Sequence, residues 1–127
     1  MNTYVRKPYA NFDIKLRLQK AFKIEAILST VLELKGKRVL EVGTGSGIIA
    51  HHISQCVGKN GEVVAVDVLD QRQVKQGGFF QVNGTKLPFE DASFDIIISN
   101  QVMEHVGNRN SQLHHLKEIR RVMKENG

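Results

Sequence analysis

The chain has 127 residues, of which 41% are hydrophobic and 24% charged, with a net charge of +5. That length supports one domain with a packed core, and the balance of apolar and charged residues excludes a disordered chain. No apolar run is long enough to cross a bilayer, the opening MNTYVRKPYANFD lacks the apolar stretch of a secretory leader, and the lone Cys56 excludes an internal disulfide.

A reducing cytoplasm is the default compartment for such a chain. The positive charge is uneven. Residues 1–38 carry nine Lys/Arg against three Asp/Glu, whereas the remaining residues carry nine against ten. A basic face can attract nucleic acid or anionic lipid. No aromatic interleaving or nucleic-acid motif accompanies it, so a solvated helix face is the preferred reading.

Residues 1–12 read as a poorly ordered lead-in, with Pro8 breaking any early helix, and residues 13–127 as one domain. Asp13 is placed to cap a helix running from Ile14 to Leu34, where apolar residues recur at helical spacing through Ile14, Leu18, Phe22, Ile24, Ile27, Leu28, Val31 and Leu32. Gly36 suits a left-handed cap ending that helix. Arg38–Val42 (RVLEV) reads as a strand, Ser46–Val57 as a helix, and Gly58–Gly61 as a turn. Glu62–Val66 (EVVAV) is a second strand. Val68–Gln76 has room for about two helical turns before Gly77-Gly78 breaks it. Phe79–Val82 is a short third strand. Phe94–Ser99 (FDIIIS) is a fourth, apolar enough to be covered on both faces. Residues 110–125 form a last amphipathic helix through Leu113, Leu116, Ile119, Val122 and Met123. Strands alternating with helices predict an α/β fold with a parallel sheet and right-handed crossovers. Ligands in such sheets bind at the carboxyl ends of the strands.

Two constellations fall at those ends. Glu41-Val42-Gly43-Thr44-Gly45-Ser46-Gly47 joins the first strand to the following helix. Its glycines permit positive φ and let a ligand touch backbone, and the next helix offers unpaired N–H groups at its start. The spacing does not match the dinucleotide fingerprint, since Ile48 stands where its sixth-position glycine belongs. The Walker Lys-Ser/Thr is absent as well. The second constellation is Asp67, ending the second strand and following Gly47 by 20 residues. An acid at that strand end can accept hydrogen bonds from both hydroxyls of a ribose, or it can simply cap the next helix. Beside the glycine turn the ribose role is favoured.

VLEVGTGSG, VVAVD, LPFEDASFDIIISNQVMEHV and LKEIRRVMKENG, in that order, resemble the class I S-adenosylmethionine-dependent methyltransferases, and within them the type 11 methyltransferase domain. The likeness runs from about Lys37 to Gly127. It implies a Rossmann-like parallel sheet with flanking helices, strand order 3-2-1-4 over the part present, and S-adenosylmethionine as cofactor. It implies that Glu41 helps hold the methionine end, that Gly43, Thr44, Gly45 and Gly47 line the cofactor, that Asp67 binds the ribose hydroxyls, and that Val68 packs on the adenine. Asn83, beside Gly84, stands where the family often has an Asp contacting the adenine amino group; its side-chain oxygen can accept the same bond. Asn100 follows the fourth strand near the reacting centre, with Gln101, Glu104 and His105 after it. The ending Lys124-Glu125-Asn126-Gly127 departs from the family's Lys-Pro-Gly-Gly.

Methyl transfer from a sulfonium is an in-line displacement, so orientation supplies much of the acceleration. A general base is needed only where the acceptor loses a proton, and His105 is the candidate because an imidazole titrates near neutrality. The pairs His51-His52 and His114-His115 lie on predicted helices with adjacent residues facing apart, so no metal site is expected. The family's sheet has three more strands than this sequence supplies, which leaves the fourth strand as an apolar edge, a pairing hazard. The expectation is therefore a fragment, a truncated product, or a chain whose fourth-strand edge is covered by another copy or a partner. Two functions are carried forward: a methyltransferase acting on a small-molecule acceptor such as a lipid, quinone or sugar precursor, and a non-catalytic cofactor-binding or interaction module derived from one.

Overall fold

The computed structural model describes residues 11–75, 77–99 and 108–127. Helix α1 spans Asn11–Ser29, strand β1 Arg38–Val42, helix α2 Ile48–Val57, strand β2 Glu62–Asp67, strand β3 Gly78–Gln81, strand β4 Ile96–Ser99 and helix α3 Arg109–Val122. The β-branched runs RVLEV, EVVAV and IIIS make three parallel strands, and GFFQ a fourth, in the order β3-β2-β1-β4. This is the expected order and fold class.

The register brings all the carboxyl ends to one edge. Val42 pairs with Val66 and Ser99, and Asp67 with Gln81. Because side chains alternate along a strand, each strand feeds two cores. Val39, Val63, Ala65, Ile96 and Ile98 face Ala21, Ile49, Ala50, Ile53 and Val57 on one side. Leu40, Val42, Val64 and Val66 face Leu87, Phe94 and Val122 on the other. Helices α1 and α2 thus cover the first face, and the end of α3 with the 87–94 segment covers the second.

That second layer is stitched by polar contacts. The Arg121 guanidinium donates to the carbonyls of Leu87 (2.9 Å) and Phe89 (2.7 Å) and to the carboxylates of Asp91 (2.9 Å) and Glu118 (2.7 Å). Glu118 in turn accepts from the Leu87 N–H at 2.9 Å. Backbone bonds from Ser93 and Phe94 to the Val122 carbonyl, and from Lys124 to the Phe94 carbonyl, tie the end of α3 to the approach of β4.

Four details differ from the sequence reading. Asp13 lies inside α1, not at its cap, so the helix takes in residues 11 and 12 of the expected lead-in; its regular part ends at Ser29. The face of α1 turned to the core is Ala21, Ile24 and Leu28, continued by Leu32 beyond the helix, leaving Phe22 and Ile27 on the helix and Val31 after it exposed. Gly36 does adopt a left-handed φ of 79°, but its N–H docks on the Val57 carbonyl at the end of α2 instead of capping α1. The buried face of α3 is His115, Glu118 and Val122, whereas Leu113 and Leu116 are half exposed.

A fifth difference is the largest. Residues 68–75 form no helix. The backbone N–H groups of Gln73 and Val74 both donate to the Ser46 carbonyl, at 2.8 and 3.1 Å, so tertiary hydrogen bonds replace the local ones a helix would make. Arg72 is paired with Asp70 at 2.9 Å and lies over the Phe79 ring at 4.1 Å. This strap carries the chain from β2 to β3 across the glycine bend. Among the described residues, no strand covers the outer edge of β4.

Candidate cofactor site at the carboxyl edge of the sheet

The site begins where β1 stops. Gly43, Gly45 and Gly47 have φ of 80°, 54° and 82°, a region that side chains rarely adopt. Their alternation turns the chain sharply into α2 and leaves bare backbone at the strand's carboxyl end. The N–H groups of Gly43 and Thr44 both reach the Val66 carbonyl, at 2.8 and 3.2 Å, which fastens the bend to β2.

Asp67, the last residue of β2, completes the junction. One carboxylate oxygen accepts the Gly45 N–H at 2.9 Å and the other accepts the Val68 N–H at 2.8 Å. A carboxylate has about four acceptor sites, so two backbone bonds orient the group and leave acceptor capacity free. Val68 follows with its side chain 55% exposed, and Gln81 fixes its carbonyl through a 3.0 Å bond. An apolar surface therefore stands beside an oriented carboxylate and a bare-backbone bend.

Glu41 lies under the bend, 2% exposed, and accepts the Thr44 hydroxyl at 2.6 Å. Burial pushes its carboxyl up to about 7, against the opposing pull of the Thr44 hydroxyl and the charge of Arg17. Such a group is poised between acid and carboxylate, and a cation brought over the bend would favour the charged form.

Asn83 and Gly84 lie in the exposed bend after β3. Asn100, Gln101, Glu104 and His105 lie outside the described residues. Gly47 differs from its two neighbours: a Cβ there would fall 2.4 Å from the Val74 carbonyl oxygen. Its bareness admits the strap.

Sequence reasoning passed over three contributors. Ser46, 1% exposed, gives its carbonyl to the strap. Gln81 sets the Val68 carbonyl. His115, on α3 and 2% exposed, brings Nε2 to 3.3 Å from the Ser99 hydroxyl at the carboxyl end of β4. Burial lowers the pKa of its imidazole. A signal for His115 existed in its i, i+3, i+7 spacing with Glu118 and Val122.

S-adenosylmethionine fits this donor set on the observed geometry. A ribose diol needs an oriented acceptor, which Asp67 provides. An adenine ring needs an apolar platform, which Val68 offers, and a close-lying backbone needs residues without Cβ, as at Gly43 and Gly45.

Comparison with known proteins agrees with that geometry. The sequence profile of the methyltransferase domain matches residues 40–127, and that of protein-L-isoaspartate(D-aspartate) O-methyltransferase matches residues 2–76. A ubiquinone/menaquinone biosynthesis C-methyltransferase UbiE from Coxiella burnetii is 32% identical over 126 residues, covering 90% of this chain and 49% of the relative. Its counterpart from Azotobacter vinelandii is 33% identical over 123 residues, covering 87% and 46%. The chain thus spans about half the length of the curated relatives it matches. Among solved structures, an arsenic(III) S-adenosylmethionine methyltransferase from Chlamydomonas reinhardtii superposes with a TM-score of 0.63 at 28% identity, over 75% of this chain and 38% of that one. A SAM-dependent methyltransferase from Aquifex aeolicus shares the fold with a TM-score of 0.65 at 24% identity, over 84% and 67%.

Proposed function

The chain belongs to the methyltransferase domain family, in its class I S-adenosylmethionine-dependent branch, and from that premise we propose that residues 13–127 form a domain that binds S-adenosylmethionine and serves methyl transfer to a small-molecule acceptor in the cytoplasm. The observation that carries the reading is the Asp67 carboxylate, oriented by the Gly45 and Val68 N–H groups at the rim of the bare bend.

Each residue has a role under this reading. Asp67 would accept both ribose hydroxyls. Val68 would support the adenine, with Asn83 and Gly84 at its edge. Gly43, Thr44 and Gly45 would line the cofactor with backbone, while Gly47 shapes the bend. Glu41 would balance the cationic methionine end from beneath. Asn100 belongs to the reacting centre, and His105 would take the proton from an acceptor that has one to lose. When bound, the cofactor supplies an electrophilic methyl group on a sulfonium. The protein then has to orient the acceptor in line with that group and keep the pocket dry, which can supply up to roughly 7–11 kcal/mol in well-aligned systems.

The acceptor class follows the relatives whose names carry one. UbiE proteins are named for ubiquinone and menaquinone C-methylation, so the ring carbon of a quinone precursor is the acceptor to test first. No described helix is long and apolar enough to cross a membrane.

Calorimetry with S-adenosylmethionine and S-adenosylhomocysteine tests the first step. Both should bind the full chain. Asp67→Asn gives up one of two charged acceptors, each hydrogen bond to a charged group being worth about 1.5–3 kcal/mol, so affinity should fall roughly 10–100-fold. No binding at millimolar cofactor, or an unchanged affinity in D67N, overturns the proposal. Binding without transfer of labelled methyl to a soluble hydroquinone would mark a cofactor-binding module instead of an enzyme.

A further inference from the structure

Away from the carboxyl edge, helices α1 and α2 bring together three groups that the methyl-transfer reading does not use. His52 and Cys56 lie four residues apart on α2 and so share a face. Glu25 reaches them from α1, its Oε1 lying 2.6 Å from His52 Nε2. One ligand atom from each of the three, the imidazole nitrogen, the thiol sulfur and a carboxylate oxygen, lies within 4.8 Å of the others. All three residues are half-buried, and Phe22 closes one side, its ring 4.5 Å from the His52 ring in an edge-to-face contact.

We propose that Glu25, His52 and Cys56 form a Zn²⁺ site that clasps α1 to α2, with the fourth coordination position left to water. Bond lengths of about 2.0–2.3 Å to nitrogen, oxygen and sulfur place neighbouring ligand atoms of a tetrahedral zinc about 3.3–3.7 Å apart. The Glu25–His52 pair, at 2.6 Å, has to open, and the separations to the Cys56 sulfur, within 4.8 Å, need at most about an ångström of closure. The donor set selects the metal. Mg²⁺ and Ca²⁺ take oxygen ligands, whereas one thiolate, one imidazole and one carboxylate suit a borderline ion such as Zn²⁺. Charge closes as well, since a thiolate and a carboxylate neutralise a divalent cation. Without metal, Cys56 sits against its neighbours as a neutral thiol, pushed up by burial and by Glu25, and the cluster is a hydrogen-bonded tie between two helices. With metal, the same three atoms become ligands.

Titration of the full chain with Co²⁺ at neutral pH, followed by displacement with Zn²⁺, decides between the two states. Cys56 is the only cysteine, so a thiolate-to-cobalt charge-transfer band can arise from no other residue. The expected result is one equivalent of tetrahedral Co²⁺ with that band, displaced stoichiometrically by Zn²⁺. Cys56→Ser should abolish the band. Glu25→Gln and His52→Gln should weaken metal binding by more than the roughly 10–100-fold that loss of an outer-shell partner costs. Circular dichroism of each variant separates loss of a ligand from loss of the fold. Weak octahedral absorption without a thiolate band in the unaltered chain overturns the proposal, even if a variant unfolds. So does a band that a folded H52Q variant retains at unaltered affinity.

Discussion

Gly47→Ala, set against Gly36→Ala, measures how tightly the strap is seated on the bend. Both glycines have left-handed φ, 82° and 79°, and a side chain in that region costs about 1–2 kcal/mol. At Gly36 nothing lies within 4 Å of an added Cβ, so that cost stands alone. At Gly47 the Cβ would meet the Val74 carbonyl oxygen at 2.4 Å, and that obstacle is backbone. The strap would have to lift by about an ångström, stretching the 2.8 and 3.1 Å bonds from Gln73 and Val74 to the Ser46 carbonyl. Overpacking of this kind costs about 1–3 kcal/mol, and each weakened bond up to about 1 kcal/mol. Gly47→Ala should therefore be less stable than Gly36→Ala by about 1–5 kcal/mol on those two terms. Urea unfolding followed by circular dichroism gives both values, with unchanged m-values as the check that the end states are comparable. Equal losses in the two variants would refute the steric argument, because they would show that the strap yields freely.

Two further predictions concern charge. Glu41 is raised from 4.5 to about 7 in the fold, so the folded state holds its proton more tightly than the unfolded chain. Its contribution is complete below about pH 4.5 and is lost as pH rises to about 7, a loss on the order of 3 kcal/mol by linkage. Glu41→Gln should remove that slope, seen as a flatter plot of unfolding free energy between pH 5 and 8; an unchanged slope would show that Glu41 ionises normally. Arg121→Met should cost about 1.5–3 kcal/mol, since it strips the buried Glu118 carboxylate of its cation and leaves the Leu87 and Phe89 carbonyls without a donor. Thermal denaturation reads this, and a midpoint within a degree of the parent would show that the clamp is idle.

The sheet was legible because its signals are local and repeated. RVLEV, EVVAV and IIIS are apolar runs bounded by turn residues, and their order follows from parallel crossovers. Asp67 and the glycine bend were legible because strand ends converge at one edge. The strap was not, since Val68, Leu69 and Val74 mimic a helical pattern while the deciding bonds go to Ser46, more than 20 residues earlier. The buried face of α3 was misread because sequence assigns Leu113 and Leu116 to a core, whereas Glu118 earns its burial only through Arg121 and the Leu87 N–H. The Glu25–His52–Cys56 cluster was missed for a similar reason. Adjacent histidines drew the eye, yet the informative pair was His52 with Cys56, and the third member lies 27 residues from His52 on another helix.

A parallel crossover normally spends a dozen or more residues on its return path; here the described residues between Asp67 and Gly78 hold no helical turn. So short a tether leaves little slack, and it rests on the carbonyl of Ser46, a residue of the bend itself. Whatever stiffens the bend must therefore stiffen β3 too. Amide exchange at Phe79 and Phe80 becomes a remote gauge of events at Gly45, two ends of a single mechanical lever.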